Sequence, residues 1–149
     1  MRRIRAERRG KSEQHMTKIL VIDDDTIVRN TIVQLLEEDD SYKVFSAEDG
    51  VRGMALFRSE QPDLVITDII MPEQEGILTI TEMLKAKPDT KIIAISGGGR
   101  IGNSDFLKIA QVLGAMAVIG KPFDLDEFMM IVRDCLAARA RRDDRGQAA

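Results

Sequence analysis

The stretch ILVIDDD, residues 19–25, decides how the chain is read. Four apolar residues run directly into Asp23, Asp24 and Asp25. Adjacent carboxylates repel, and crowding raises the cost of keeping all three ionised. A short run apolar on both faces reads as a strand covered on both sides. The acidic triplet therefore falls at the carboxyl end of a buried strand, where three like charges need a reason.

Working outward, four similar runs follow: YKVFS (42–46), DLVIT (63–67), KIIAI (91–95) and AMAVI (115–119). Amphipathic stretches lie between them. Val28, Ile32, Leu35 and Leu36 form one stripe. Val51, Met54, Ala55 and Phe57 form a second, and Ile77, Ile80 and Leu84 a third. Phe106, Ile109, Ala110 and Leu113 form a fourth, and Leu125, Phe128, Met129, Val132 and Leu136 a fifth. Asp124 with Glu127 marks the fifth start as a capping box. Pro88-Asp89 ends the third helix and Gly114 the fourth. Five βα units in strict alternation predict an α/β domain, a parallel sheet with helices on both faces. They occupy residues 17–138 and are expected to leave no room for an effector module.

In open sheets of this kind ligands bind beyond the carboxyl ends of the strands. Those ends carry Asp23-Asp24-Asp25, Asp68, Ser96 and Lys121, the last followed by Pro122. Clustered carboxylates call for a cation, and an all-oxygen set without His or Cys favours Mg²⁺ over Zn²⁺. Mg²⁺ commonly shares a phosphate oxygen, and a lysine and a hydroxyl suit the remaining ones. The edge thus points to phosphoryl chemistry. Singly, each residue has a plainer reading. Asp24 or Asp25 can cap the first helix, Ser96 can be a loop hydroxyl, and Lys121 a surface charge. Their joint placement on one edge argues against that reading.

The chain has 149 residues, 44% of them hydrophobic, enough for one core. Its single cysteine, Cys135, excludes an internal disulfide and fits a reducing compartment. Residues 1–16 hold six Lys or Arg and two Glu, and 137–149 hold four Arg and two Asp, leaving −9 for 17–136. An acidic domain with short basic ends is unlike a dedicated nucleic-acid binder. The ends, 1–16 and 139–149, read as solvated and disordered extensions. MTKILVIDDD, beginning at Met16, resembles a natural start. No run is long and apolar enough to cross a membrane, so a cytoplasmic protein is expected.

With these residues placed, residues 17 to about 138 resemble the receiver domain of bacterial two-component response regulators. The motifs are ILVIDDD, DLVITDIIMP, IIAIS and IGKPF, in that order. The resemblance implies an open doubly wound five-stranded sheet, order 2-1-3-4-5. It implies Asp68 as phospho-acceptor from a histidine kinase or a histidine phosphotransfer protein. Asp23 (through water), Asp24, Asp68 and the backbone carbonyl of Ile70 would hold Mg²⁺. Ser96 and Lys121 would bind phosphoryl oxygens, with a cis Lys121-Pro122 bond aiming the lysine. The implied protein is no conventional enzyme; it signals by phosphorylation-controlled contact with a protein target, or passes phosphate onward in a relay.

Two departures stand out. The strand-5 position where the family uses an aromatic switch holds Val118. After Ser96 the chain runs Gly97-Gly98-Gly99, a loop expected to order on phosphorylation in place of ring rotation. Ile70, apolar and two beyond Asp68, is expected to hinder water and lengthen the phosphoryl lifetime. The strongest rival is a haloacid-dehalogenase-like phosphatase with Asp23 as nucleophile, since VIDDDTIV imitates its Asp-x-Asp motif. KPFDLDEF, however, reads as a helix start rather than that family's further acidic pair. A receiver fold without chemistry is the third reading.

Overall fold

The computed structural model describes residues 16–69, 75–97, 108 and 111–138. The strands are β1 (Thr17–Ile22), β2 (Tyr42–Ala47), β3 (Leu64–Asp68), β4 (Ile92–Gly97) and β5 (Ala117–Lys121). Helices α1 (Thr26–Glu37), α2 (Gly50–Glu60), α3 (Glu75–Ala86) and α5 (Leu125–Ala137) join or follow them. A further helix, α4, is described only at Lys108 and 111–113. The five strands pair in parallel, as the alternation predicts, in the order β2-β1-β3-β4-β5 that the resemblance implies.

Three helices start on an aspartate. Asp25 Oδ1 accepts from the N–H groups of Ile27 (2.9 Å) and Val28 (3.2 Å), satisfying two donors that α1 leaves unpaired. Asp49 caps α2 through the Arg52 N–H, and Asp124 caps α5 through Asp126 and Glu127. Helix α3 stops at Ala86, two residues before Pro88. Gly114, at φ 111°, turns the chain out of α4 in a conformation that glycine adopts without strain.

The sheet separates two apolar layers. Leu20, Ile22, Val65, Ile92 and Ala94 face α2 and α3, meeting Met54, Phe57, Ile80 and Met83. Ile19, Val21, Ile66, Ile93 and Ile95 face α1 and α5, meeting Ile32, Leu36, Phe128 and Val132. Each such buried Val, Leu, Ile, Phe or Met side chain contributes ~1.5–3 kcal/mol. Cys135 packs in the second layer, and burial pushes its thiol pKa up, as a packing cysteine requires.

Three details differ from the sequence reading. Strand β5 begins at Ala117, not Ala115, and runs to Lys121, because the ladder with β4 pairs Ile93 with Ala117 and Gly97 with Lys121. The buried stripe of α2 is Gly50, Gly53, Met54 and Phe57; Val51 and Ala55 face solvent. Gly53 sits so close to β1 that a Cβ there would collide with Ile22 Cδ1, so this face of the helix packs on the strand only because it carries no side chain there. On α3, Thr79 and Met83 join Ile80 inside, while Ile77 and Leu84 are half-buried. Of the fourth stripe, only Leu113 lies among the described residues.

Candidate functional site

Four strands deliver the polar residues to one edge. Asp23 directly follows β1, Asp68 ends β3, Ser96 is next to last in β4, and Lys121 ends β5. Since β4 lies between β5 and β3, the Lys121 side chain must cross β4 to reach the carboxylates. It does so. Its Nζ donates to Asp68 Oδ2 at 2.8 Å and to Asp23 Oδ2 at 3.0 Å. The stem passes over Gly97, where a Cβ would lie 3.7 Å from Lys121 Cδ, an ordinary contact.

The two carboxylates are deeply set: Asp23 is 1% exposed and Asp68 4%. Asp24 is exposed, yet one oxygen from each of Asp23, Asp24 and Asp68 falls within 4.8 Å of the others. Burial pushes the Asp23 pKa up, and repulsion from Asp68 adds to this. The Asp25 N–H and Lys121 pull the other way without cancelling the rise. For Lys121, burial lowers the pKa, but hydrogen bonds to Asp68 and Asp23 outweigh it, leaving a net rise. The ammonium stays charged between two carboxylates.

Asp23 is also fixed through its backbone. Its N–H donates to Ala47 O (3.2 Å), its Oδ1 accepts from Asp25 N–H (2.9 Å), and its carbonyl accepts from Arg29 Nη1 (2.7 Å). Sequence reasoning missed Arg29. The available signal was a cation in the first turn of a helix, where the macrodipole disfavours positive charge.

Ser96 is 0% exposed, and its hydroxyl has no hydrogen-bond partner among the described residues. A buried hydroxyl of this kind carries a desolvation cost of ~1–3 kcal/mol until something bonds it. The structure therefore brings together Asp23, Asp24, Asp68 and Lys121, with Ser96 at the same edge. Lys121-Pro122 is cis, and Pro122 is exposed. Phe123 stacks on Phe128 at 5.0 Å, anchoring the turn into α5. Val118 is half-buried against the first apolar layer. Ile70 and Gly98 lie outside the described residues. Asp25 belongs to the helix cap rather than to the carboxylate cluster.

A parallel sheet in this order, with acidic, hydroxyl and ammonium groups at its carboxyl edge, is the architecture of a receiver-like α/β domain with groups suited to phosphoryl oxygens and a cation. Residues 19–133 match the family described as the response regulator receiver domain, and the chain belongs to that family. It is 32% identical over 122 residues to the chemotaxis protein CheY of Halobacterium salinarum, covering 81% of this chain and 98% of that protein. It is 28% identical over 123 residues to sporulation initiation phosphotransferase F of Bacillus subtilis, covering 83% of this chain and 96% of that one. Among solved structures, a response regulator receiver domain protein from Clostridium thermocellum superposes with a TM-score of 0.73. That pair shares 29% identity over 81% of this chain and 94% of the other.

Proposed function

We propose that Asp68 accepts a phosphoryl group from a phosphohistidine on a sensor kinase or a phosphotransfer protein. The observation that carries this reading is the Lys121 ammonium, bonded at once to Asp68 and Asp23 on the edge that also holds Ser96, whose buried hydroxyl has no partner among the described residues. An Asp68 oxygen attacks phosphorus, the P–N bond to the donor imidazole breaks, and the imidazole leaves. Lys121 fixes the carboxylate before transfer and pairs with a phosphoryl oxygen after it. Ser96 then donates its hydrogen bond to another oxygen.

The donor set fits Mg²⁺. Asp23, Asp24 and Asp68 offer only hard oxygens within 4.8 Å of one another, and one of the three is open to solvent. Bound there, the ion would offset negative charge on the transferred phosphoryl oxygens. The charge added at Asp68 draws Lys121 and Ser96, which sit on β5 and β4, and those strands pass the change to a protein target. Relay of the phosphoryl group onward is the second reading, favoured by the likeness to a sporulation phosphotransferase. The lone cysteine supports a reducing, cytoplasmic setting for this role. A phosphatase using Asp23 leaves Asp68, held by the lysine at 2.8 Å, without a task.

Incubation with Mg²⁺ and a small phosphodonor, followed by intact mass, tests the assignment. The wild type gains one phosphoryl group and Asp68→Ala gains none. Labelling retained in Asp68→Ala but lost in Asp23→Asn would instead identify Asp23 as the nucleophile.

A further inference from the structure

We infer that Arg29 is a positioning residue that sets the angle between the two carboxylates of the β1–α1 turn, and through them the affinity for Mg²⁺. The inference rests on the metal reading above. Every polar atom of Asp23 is held. Three holders are the Ala47 carbonyl, the Asp25 N–H and Lys121. The fourth is the Arg29 guanidinium, which grips the Asp23 carbonyl at 2.7 Å. That carbonyl lies in the rigid peptide plane shared by Asp23 and Asp24. With the next amide, Asp25 N–H, held by Asp23 Oδ1, fixing this plane restrains the backbone on both sides of Asp24 and so the direction in which its side chain leaves.

Asp24 needs this. It is exposed, and Asp25, its neighbour, is already committed to capping α1. The Arg29 amide donates to Asp25 O at 2.9 Å, the first hydrogen bond of α1, so its side chain reaches back to the turn from a backbone already anchored in the helix. Its place in the first turn of α1 does nothing for the helix, because the macrodipole opposes a cation there. Its charge also opposes a nearby Mg²⁺. A purely electrostatic Arg29 would therefore weaken metal binding, whereas a positioning Arg29 strengthens it.

Calorimetric titration with Mg²⁺, without phosphodonor, separates the two. Arg29→Met is compared with the wild type at low salt and at about 0.5 M salt, where screening shortens to a few ångströms. At high salt the methionine variant binds Mg²⁺ about tenfold more weakly, the low end for residues that orient metal ligands from outside. At low salt the gap narrows, because the missing charge no longer repels the ion. Binding equal to or tighter than wild type at high salt overturns the role. If Arg29→Met does not fold, Arg29→Lys, which keeps the charge on a different reach, decides. Weaker binding at both salt levels supports positioning, and wild-type binding overturns it. Asp24→Asn is the reference. If it binds Mg²⁺ as the wild type does, the metal reading itself fails, whatever Arg29 does.

Discussion

Replacing Lys121 with methionine tests the electrostatic core of the site. The change removes two hydrogen-bonded ion pairs, at 2.8 and 3.0 Å, and keeps most of the stem's apolar packing. It leaves two carboxylates with oxygens within 4.8 Å of each other. At an effective dielectric of ~20, like charges at that distance repel by about 3.5 kcal/mol. Removing one partner of a buried pair typically costs ~3–5 kcal/mol. The lysine side chain is 19% exposed, so solvent screens part of this and the lower end applies. A loss of about 3 kcal/mol corresponds to roughly 10 °C in a domain of this size. Thermal and urea unfolding in metal-free buffer at neutral pH measure it. The gap to wild type should close as pH falls into the carboxylate range. There the variant's folded state takes up protons that its unfolded chain binds less readily, and the repulsion disappears. A deficit below about 1 kcal/mol at neutral pH, or one that does not shrink on acidification, refutes the argument.

Asp23→Asn should act in the opposite direction. Because burial raises the Asp23 pKa above its ordinary 3.8, the folded state holds the proton at a pH where the unfolded chain has released it. Wild-type stability therefore falls as pH rises from the unfolded pKa through the raised one. The asparagine variant should lack that decline and be about 1 kcal/mol more stable at neutral pH without Mg²⁺, read from melting curves across pH. Gly53→Ala should destabilise by about 1 kcal/mol in urea unfolding. The Cβ would collide with Ile22 Cδ1, and overpacking outweighs the usual helical gain of alanine. Lys91→Met should cost about 1 kcal/mol. Its Nζ donates to the carbonyls of Leu136 (2.9 Å) and Ala138 (2.7 Å), closing the end of α5. Faster amide exchange in the last turn of α5 is the readout.

The parallel sheet and the residues of its carboxyl edge were legible because both depend on alternation. The strand order followed only from the resemblance to receiver domains, since alternation does not fix which strands are neighbours. A run of Ile and Val ending in Asp says where a strand stops and what it presents there, with no knowledge of its neighbours. The roll of α2 was not legible. Val51 and Ala55 satisfy the helical spacing as well as Met54 does, and only the close packing of Gly53 on Ile22, which a side chain there would block, distinguishes the inward face. The start of β5 was hidden for a similar reason. Ala115 and Met116 are as apolar as the strand itself, and pairing with β4, which involves residues more than twenty positions away, sets the boundary. Arg29 was missed because its partner is a carbonyl oxygen, an atom that every residue carries. No pattern of side chains marks which one will be gripped. Asp25 was legible as a helix entry since Asp at the head of an apolar stripe has a local use.

The separation of the apolar residues into two layers has a consequence for divergence. Leu20 and Ile22 face one layer and Ile19 and Val21 the other, so alternate residues of a single strand serve different helices. Substitutions in the layer under α2 and α3 should add to those in the layer under α1 and α5, because the intervening backbone keeps the side chains apart. One face of the domain can then drift toward a new binding partner while the other keeps an old one. The carboxyl edge, built from the strands both layers share, is the part that neither drift can alter alone.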